Sequence, residues 1–169
     1  MSVHGLRAVV SLLLCGTIVS VGRAESPVIP PFAKELYRSQ LKIGDYKARN
    51  TSTWDRWYKA RQTLGMPKTN ESYVRATAAG LQTEGTAMRF ENGMVVRIGT
   101  SPRAGRTSLL YGGIFNKYEE FGGLHGTLGF PISDAYQLGQ TGNYAQIFEK
   151  GQIYFNPATR SYEVRYFPQ

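Results

Sequence analysis

The apolar residues of this chain form one unbroken run near the start and short, punctuated groups thereafter. The run from Ala8 to Gly22 carries no charge, and it is shorter than the roughly 18 to 20 residues that a membrane span needs. The basic stretch MSVHGLR precedes it, and Gly22 and Ala24 place small residues before a cut after Ala24, so residues 1–24 read as a secretory signal. Cys15 lies inside the run behind Leu14, where a lipidation site would want a small residue. Residues 25–50 read as a spacer and cap. The prolines of ESPVIPPFAKE oppose helix, a brief helix is expected from Lys34 to Leu41, and Gly44 is its expected stop.

From Thr51 the pattern becomes periodic. Trp54 and Trp57 are spaced i, i+3, with Thr51, Ser52 or Thr53 as the cap, and Ile114, Tyr118 and Phe121 follow i, i+4, i+7 until Gly122 and Gly123 end the run. Each spacing predicts a short amphipathic helix. Further on the period changes. Ile153 and Phe155 alternate with Gln152 and Tyr154, as on a strand with one buried face. Asn92-Gly93 and Lys150-Gly151 read as tight hairpin turns, and NPATR leads to a last strand near Ser161 to Val164, as TSPRAGR leads to TSLLY.

These elements recur. TLGMPKTN at Thr63 to Asn70 returns 64 residues later as TLGFPISD at Thr127 to Asp134, with the aromatic helix upstream of both. RFENGMVVRIG and IFEKGQIYF align with an offset of 58, so the first copy holds six extra residues within SYVRATAAGLQTEG, where a loop is expected. The predicted fold is α+β and β-rich: two tandem units, 51–111 and 112–169, each a short helix, a Gly-Pro turn and a small antiparallel meander. In the turns, Gly65 and Gly129 permit backbone angles that other residues avoid, and Pro67 and Pro131 fix the next bend. Leu64, Leu128 and Phe130 are expected to pack beneath the helix, with Phe90, Gly93, Phe148 and Gly151 marking the paired hairpins.

The order helix, Leu-Gly-Phe-Pro, then Phe-Glu-x-Gly-x-Ile-Tyr resembles the LGFP repeat family, carried by YEEFGGLHGTLGFPISD and IFEKGQIYFNPATRSYEV. The first unit is a degenerate version, with Met66 in place of the motif phenylalanine and no double glycine. The resemblance implies a noncatalytic module of exported bacterial proteins, found in tandem beside envelope enzymes such as mycolyltransferases and peptidoglycan amidases, and thought to hold them on the cell wall. This chain has only two recognisable units, whereas stacked repeats usually need at least about three to bury their faces. Residues 27–50 are therefore expected to cap the first unit, or the protein to associate with itself.

Composition narrows the chemistry. Of 169 residues, 20 are Lys or Arg and 12 Asp or Glu, giving a net charge of +8 that is scattered rather than clustered. Such a surface suits anionic envelope polymers or lipid headgroups, and no nucleic-acid motif accompanies it. After Ala24 the chain keeps one histidine, His125, and no cysteine, so neither a metal site nor a cysteine nucleophile is expected. His125 reads as a solvated loop residue. No Gly-x-Ser-x-Gly elbow or phosphate-binding glycine loop is present, and no cofactor is expected. Glu119 and Glu120 are adjacent and point apart on a helix, while Glu91 and Glu149 mark hairpin turns. A glycan hydrolase using the last two across a unit interface is a minor alternative.

The candidate binding groups are aromatic. Trp54, Trp57, Tyr58, Tyr111, Tyr118, Tyr154 and Tyr162 offer flat faces with polar tips, and Trp54, Phe121 and Phe148 are the ones expected in the core. Tyr58 and Tyr154, with Arg56 and Lys59, are the expected contacts to a wall polysaccharide or peptidoglycan, in a secreted or envelope-associated protein. The rival expectation is an accessory protein that uses the same aromatics to bind an envelope enzyme.

Overall fold

The computed structural model describes residues 41–77, 80–100 and 102–168. The signal segment, the proline-rich spacer and the expected helix up to Leu41 lie outside the described residues, and Leu41 itself is not helical. It leads into a hairpin of β1 (Lys42–Ile43) and β2 (Tyr46–Lys47), in which Gly44, at φ 60°, makes a turn rather than stopping a helix. α1 (Thr51–Leu64) starts one residue ahead of the expected cap, after Asn50 in extended backbone. Thr53 instead lies buried and donates its hydroxyl to Glu71 at 2.9 Å.

Behind α1 come β3 (Ser72–Arg75), β4 (Glu84–Phe90), β5 (Gly93–Ile98) and β6 (Thr107–Tyr111), an antiparallel meander in chain order. The pattern repeats with α2 (Gly112–Glu120), a 3-10 turn at Gly123–His125, and a second meander of β7 (Tyr136–Gln137), β8 (Tyr144–Ile147), β9 (Gly151–Asn156) and β10 (Ser161–Tyr166). This is a β-rich α+β fold. The helices differ for a local reason. Gly122 and Gly123, at φ 89° and 57°, break the second, whereas the first copy has Tyr58 and Lys59 at those places and continues to Leu64.

The register of the first sheet separates its side chains into two buried faces. Thr86, Met88, Phe90 and Val95 point to one side, where Met88, Phe90 and Val95 pack with Leu64, Trp54 and Trp57 of α1 and with Leu41, Ile43 and Ala48 of the N-terminal hairpin. Ala87, Met94, Val96, Ile98 and Leu110 point to the other, onto Ile114 and Tyr118 of α2 and Phe130 of the second motif. α2 lies in turn on Ile153, Phe155 and Val164 of the second sheet. The layers therefore alternate: hairpin and α1, first sheet, α2, second sheet. Each side chain buried whole in such a stack contributes about 1.5 to 3 kcal/mol, which is how a chain whose described part has no cysteine is held together.

The six extra residues of the first unit are not simply a loop. They add two cross-strand pairs, Val74↔Gly85 and Arg75↔Glu84, to a hairpin that in the second unit ends at Gln137↔Tyr144. The longer hairpin reaches the second unit, where Ala76 and Leu81 join its core and Thr77 donates to the carbonyl of His125 at 3.4 Å.

Candidate functional site

The two motifs fold into the same corner. Gly65 and Gly129 sit at φ 73° and 71°, and Pro67 and Pro131 bridge Phe90 and Phe148. The glutamate after each phenylalanine turns back on its own motif: Glu91 accepts from the Met66 amide at 3.0 Å and Glu149 from the Phe130 amide at 2.8 Å. A Cβ on Gly65 would lie 2.1 Å from Glu91 Oε2, and one on Gly129 2.6 Å from Glu149 Oε2. Gly93 and Gly151 are glycine for another reason. Each opens a strand, and an added Cβ would meet the carbonyl of Leu110 or Arg165 at 2.1 or 2.4 Å. The turn residues of the first hairpin are thus Glu91 and Asn92, with Phe90 paired to Gly93, and not Asn92-Gly93.

Polar ties fix one unit on the next. Asp134 accepts from the Leu109 amide at 2.8 Å on the free edge of β6, Gln146 donates to the Leu109 carbonyl at 3.0 Å, and Thr83 donates to Glu149. Arg56 is drawn into this joint, bonded to the Thr107 carbonyl at 3.0 Å and to Asp134. The N-terminal hairpin repeats the arrangement. Lys47 donates to Asn70, the residue aligned with Asp134, at 2.8 Å and accepts from the Glu71 amide at 2.8 Å. β2 therefore stands to the first unit as β6 stands to the second.

The outer face of the second sheet has no such cover among the described residues. Its side chains are the counterparts of the face that α2 covers in the first unit: Gln152 for Met94, Tyr154 for Val96, Asn156 for Ile98 and Arg165 for Leu110. Four apolar positions have become polar or amphipathic. Over three of them, Tyr154, Asn156 and Arg165, runs an open groove of about 400 Å³, lined also by Ser161 and Glu163 and walled by Leu138, Thr141 and Asn143. Arg165 lies over the Tyr154 ring with its guanidinium carbon 4.3 Å from the centroid, and it pairs in bidentate fashion with Glu163 at 2.6 and 2.8 Å. That guanidinium holds the Glu163 carboxyl below the usual carboxylate range, and Glu163 in turn raises Arg165. Gln152 donates to the Tyr154 hydroxyl and fixes the ring.

The expected site residues are thus dispersed. Tyr154 is in the groove. Tyr58 is half-buried on α1, stacked on Trp54 at 5.1 Å on one side and covered by Arg61 at 4.4 Å, so its flat faces are taken. Arg56 serves the joint between units, and Lys59 is exposed on α1. Tyr118, counted among the available aromatics, is fully buried, stacked on Phe148 at 4.7 Å, and donates to the Gly129 carbonyl at 2.7 Å. Burial pushes its hydroxyl well above the ordinary tyrosine value. Trp54 and Phe121 are only partly buried. Glu91 and Glu149 are each engaged in their own corner, Glu149 also by Thr83, and neither lines the groove. Of the groove residues not expected from the sequence, Asn156 and Arg165 show when the copies are overlaid, while Ser161 and Glu163 join them because the β9–β10 register puts them opposite Asn156 and Tyr154.

A second, more apolar cleft of about 190 Å³ lies on the inner side of the same sheet, among Tyr111, Gly113, Ile114, Tyr144, Phe155 and Tyr162. Gly113 makes room there, since a Cβ would lie 1.5 Å from the Tyr162 hydroxyl. Tyr111 and Tyr144 stand exposed at its rim.

No curated protein matches this chain. The LGFP repeat model matches residues 128–166, from the Leu-Gly-Phe-Pro turn to the end of β10, and the second unit carries an LGFP repeat.

Proposed function

We propose that this chain is a noncatalytic, exported envelope protein that holds a wall polysaccharide on the outer face of its second sheet, with Tyr154 as the central contact. One observation carries the reading: the face that is apolar and covered in the first unit is polar and open in the second, and it bears a groove with a fixed aromatic ring. A tyrosine flanked by amide and hydroxyl groups matches a sugar, which offers an apolar C–H face and a rim of hydroxyls. Tyr58, Arg56 and Lys59 lie on α1 and are not part of this groove. The LGFP repeat and the signal-like residues 1–24 support the envelope location.

Purified protein is expected to co-sediment with protein-stripped cell walls and to be released by soluble wall glycan. Failure of the walls to retain it would turn attention to the aromatic cleft, whose exposed Tyr111 and Tyr144 favour an accessory role on an envelope enzyme. Pull-down from the envelope fraction, with and without Tyr144→Ala, tests that second reading.

A further inference from the structure

Although the chain is basic overall, the groove is not. Its two ionic groups, Glu163 and Arg165, pair with each other through the Nε and Nη2 of the guanidinium at 2.6 and 2.8 Å, and the flat face of the guanidinium lies on the Tyr154 ring at 4.3 Å. A bidentate guanidinium–carboxylate pair leaves little unmatched charge for a third partner. What the groove offers a ligand is the tyrosine and the remaining hydrogen-bonding capacity of the uncharged side chains of Asn143, Asn156, Thr141 and Ser161. The Asn156 Oδ1 already accepts from the Ala158 amide at 3.0 Å, and the hydroxyls of Thr141 and Ser161 are also bonded, to the Leu138 carbonyl at 2.8 Å and to Thr159 at 2.7 Å. A phosphate- or carboxylate-bearing polymer entering here would meet Glu163 at close range, and the cation among the lining residues, Arg165, is already paired with that carboxylate, so like charge opposes binding. Arg56, a cation expected to contact the wall polysaccharide, is bound to Asp134 outside the groove.

We infer that the ligand of the groove is an uncharged polysaccharide, recognised by aromatic contact and neutral hydrogen bonds, and that the net positive charge of the chain takes no part in holding it. This rests on the wall-binding reading and narrows it to one class of polymer. Binding is then insensitive to salt, because no charged contact is made that ions could screen.

The test is retention of the purified chain on protein-stripped walls as salt is raised from about 0.05 to about 0.5 M, a range over which screening becomes severe. It is repeated with two competitors: a neutral wall polysaccharide fraction, and a phosphate- or carboxylate-bearing one. The inference predicts less than a twofold change in retention and release by the neutral fraction alone. It also predicts that replacing the exposed Lys42, Lys59 and Lys68 with Gln, none of which lines the groove, keeps retention within about threefold, whereas a polyanion held by the charge of the chain would be lost at least about tenfold. Retention that collapses in salt, or release by the anionic fraction, overturns the neutral ligand while leaving wall binding intact. A chain that is never retained, at either salt, overturns the wall-binding reading itself.

Discussion

Gly129 and Glu149 define one another: the glycine leaves the space that the carboxylate fills, and the carboxylate satisfies the Phe130 amide that the turn would otherwise strand. Gly129→Ala would combine a positive φ with a methyl 2.4 Å from Leu81. It is expected to cost about 1 to 3 kcal/mol, read as a lower urea midpoint. Glu149→Ala leaves a backbone donor unpaired and should cost a similar amount, about 1 to 3 kcal/mol. Tyr118 adds a pH signature. Because burial raises its folded-state pKa above the ordinary value of 10.0, its contribution is fully present below that pH and is lost as pH rises beyond it. Tyr118→Phe should lower the melting temperature at neutral pH through the lost bond to Gly129, and the gap from wild type should narrow above about pH 10. A gap that is constant with pH would contradict the assignment.

The elements show how the outer face of the first unit is covered. At one end the β1–β2 hairpin supplies Leu41, Ile43 and Ala48 to a face that would otherwise expose Met88 and Val95. Deleting residues 41–50 should therefore abolish cooperative unfolding or drive aggregation, as seen by thermal melts and light scattering; a stable, cooperatively melting product would show the cap to be dispensable. Between the units, the lengthened β3–β4 hairpin reaches over to the second motif, with Leu81 against Gly129 and Thr83 on Glu149. The helices, the corners and the meander were legible in the chain because each is a local matter of period, glycine and proline. The stacking was not. Trp54 and Tyr118 align, yet one is partly buried and the other wholly so, because α2 lies between two sheets while α1 lies between a sheet and a small hairpin. Arg56 could not be read as a joint residue, since its partner Asp134 is 78 positions away. The groove was half legible: Tyr154 stands out alone, but its setting emerges only from the exchange of Met94, Ile98 and Leu110 for Gln152, Asn156 and Arg165.

At the scale of the whole molecule, the described residues form a two-unit stack, with the outer face of the first unit covered by the N-terminal hairpin and that of the second unit polar. Stacked repeats normally finish in a unit whose outer face is polar, which keeps the array soluble and stops it growing. Here the polar outer face of the second unit also carries an aromatic ring and a groove, and no described residue covers it. With its apolar faces covered by its own hairpin and its own second unit, the protein is expected to run as a monomer in size-exclusion chromatography with light scattering. The most direct test of the central claim is co-sedimentation of wild type and Tyr154→Ala with protein-stripped walls, with melting temperatures measured alongside. The account predicts that wild type is retained and that the variant binds at least about tenfold more weakly, about 1.4 kcal/mol, with its melting temperature little changed. Equal retention of the two proteins, with both folded, would contradict it.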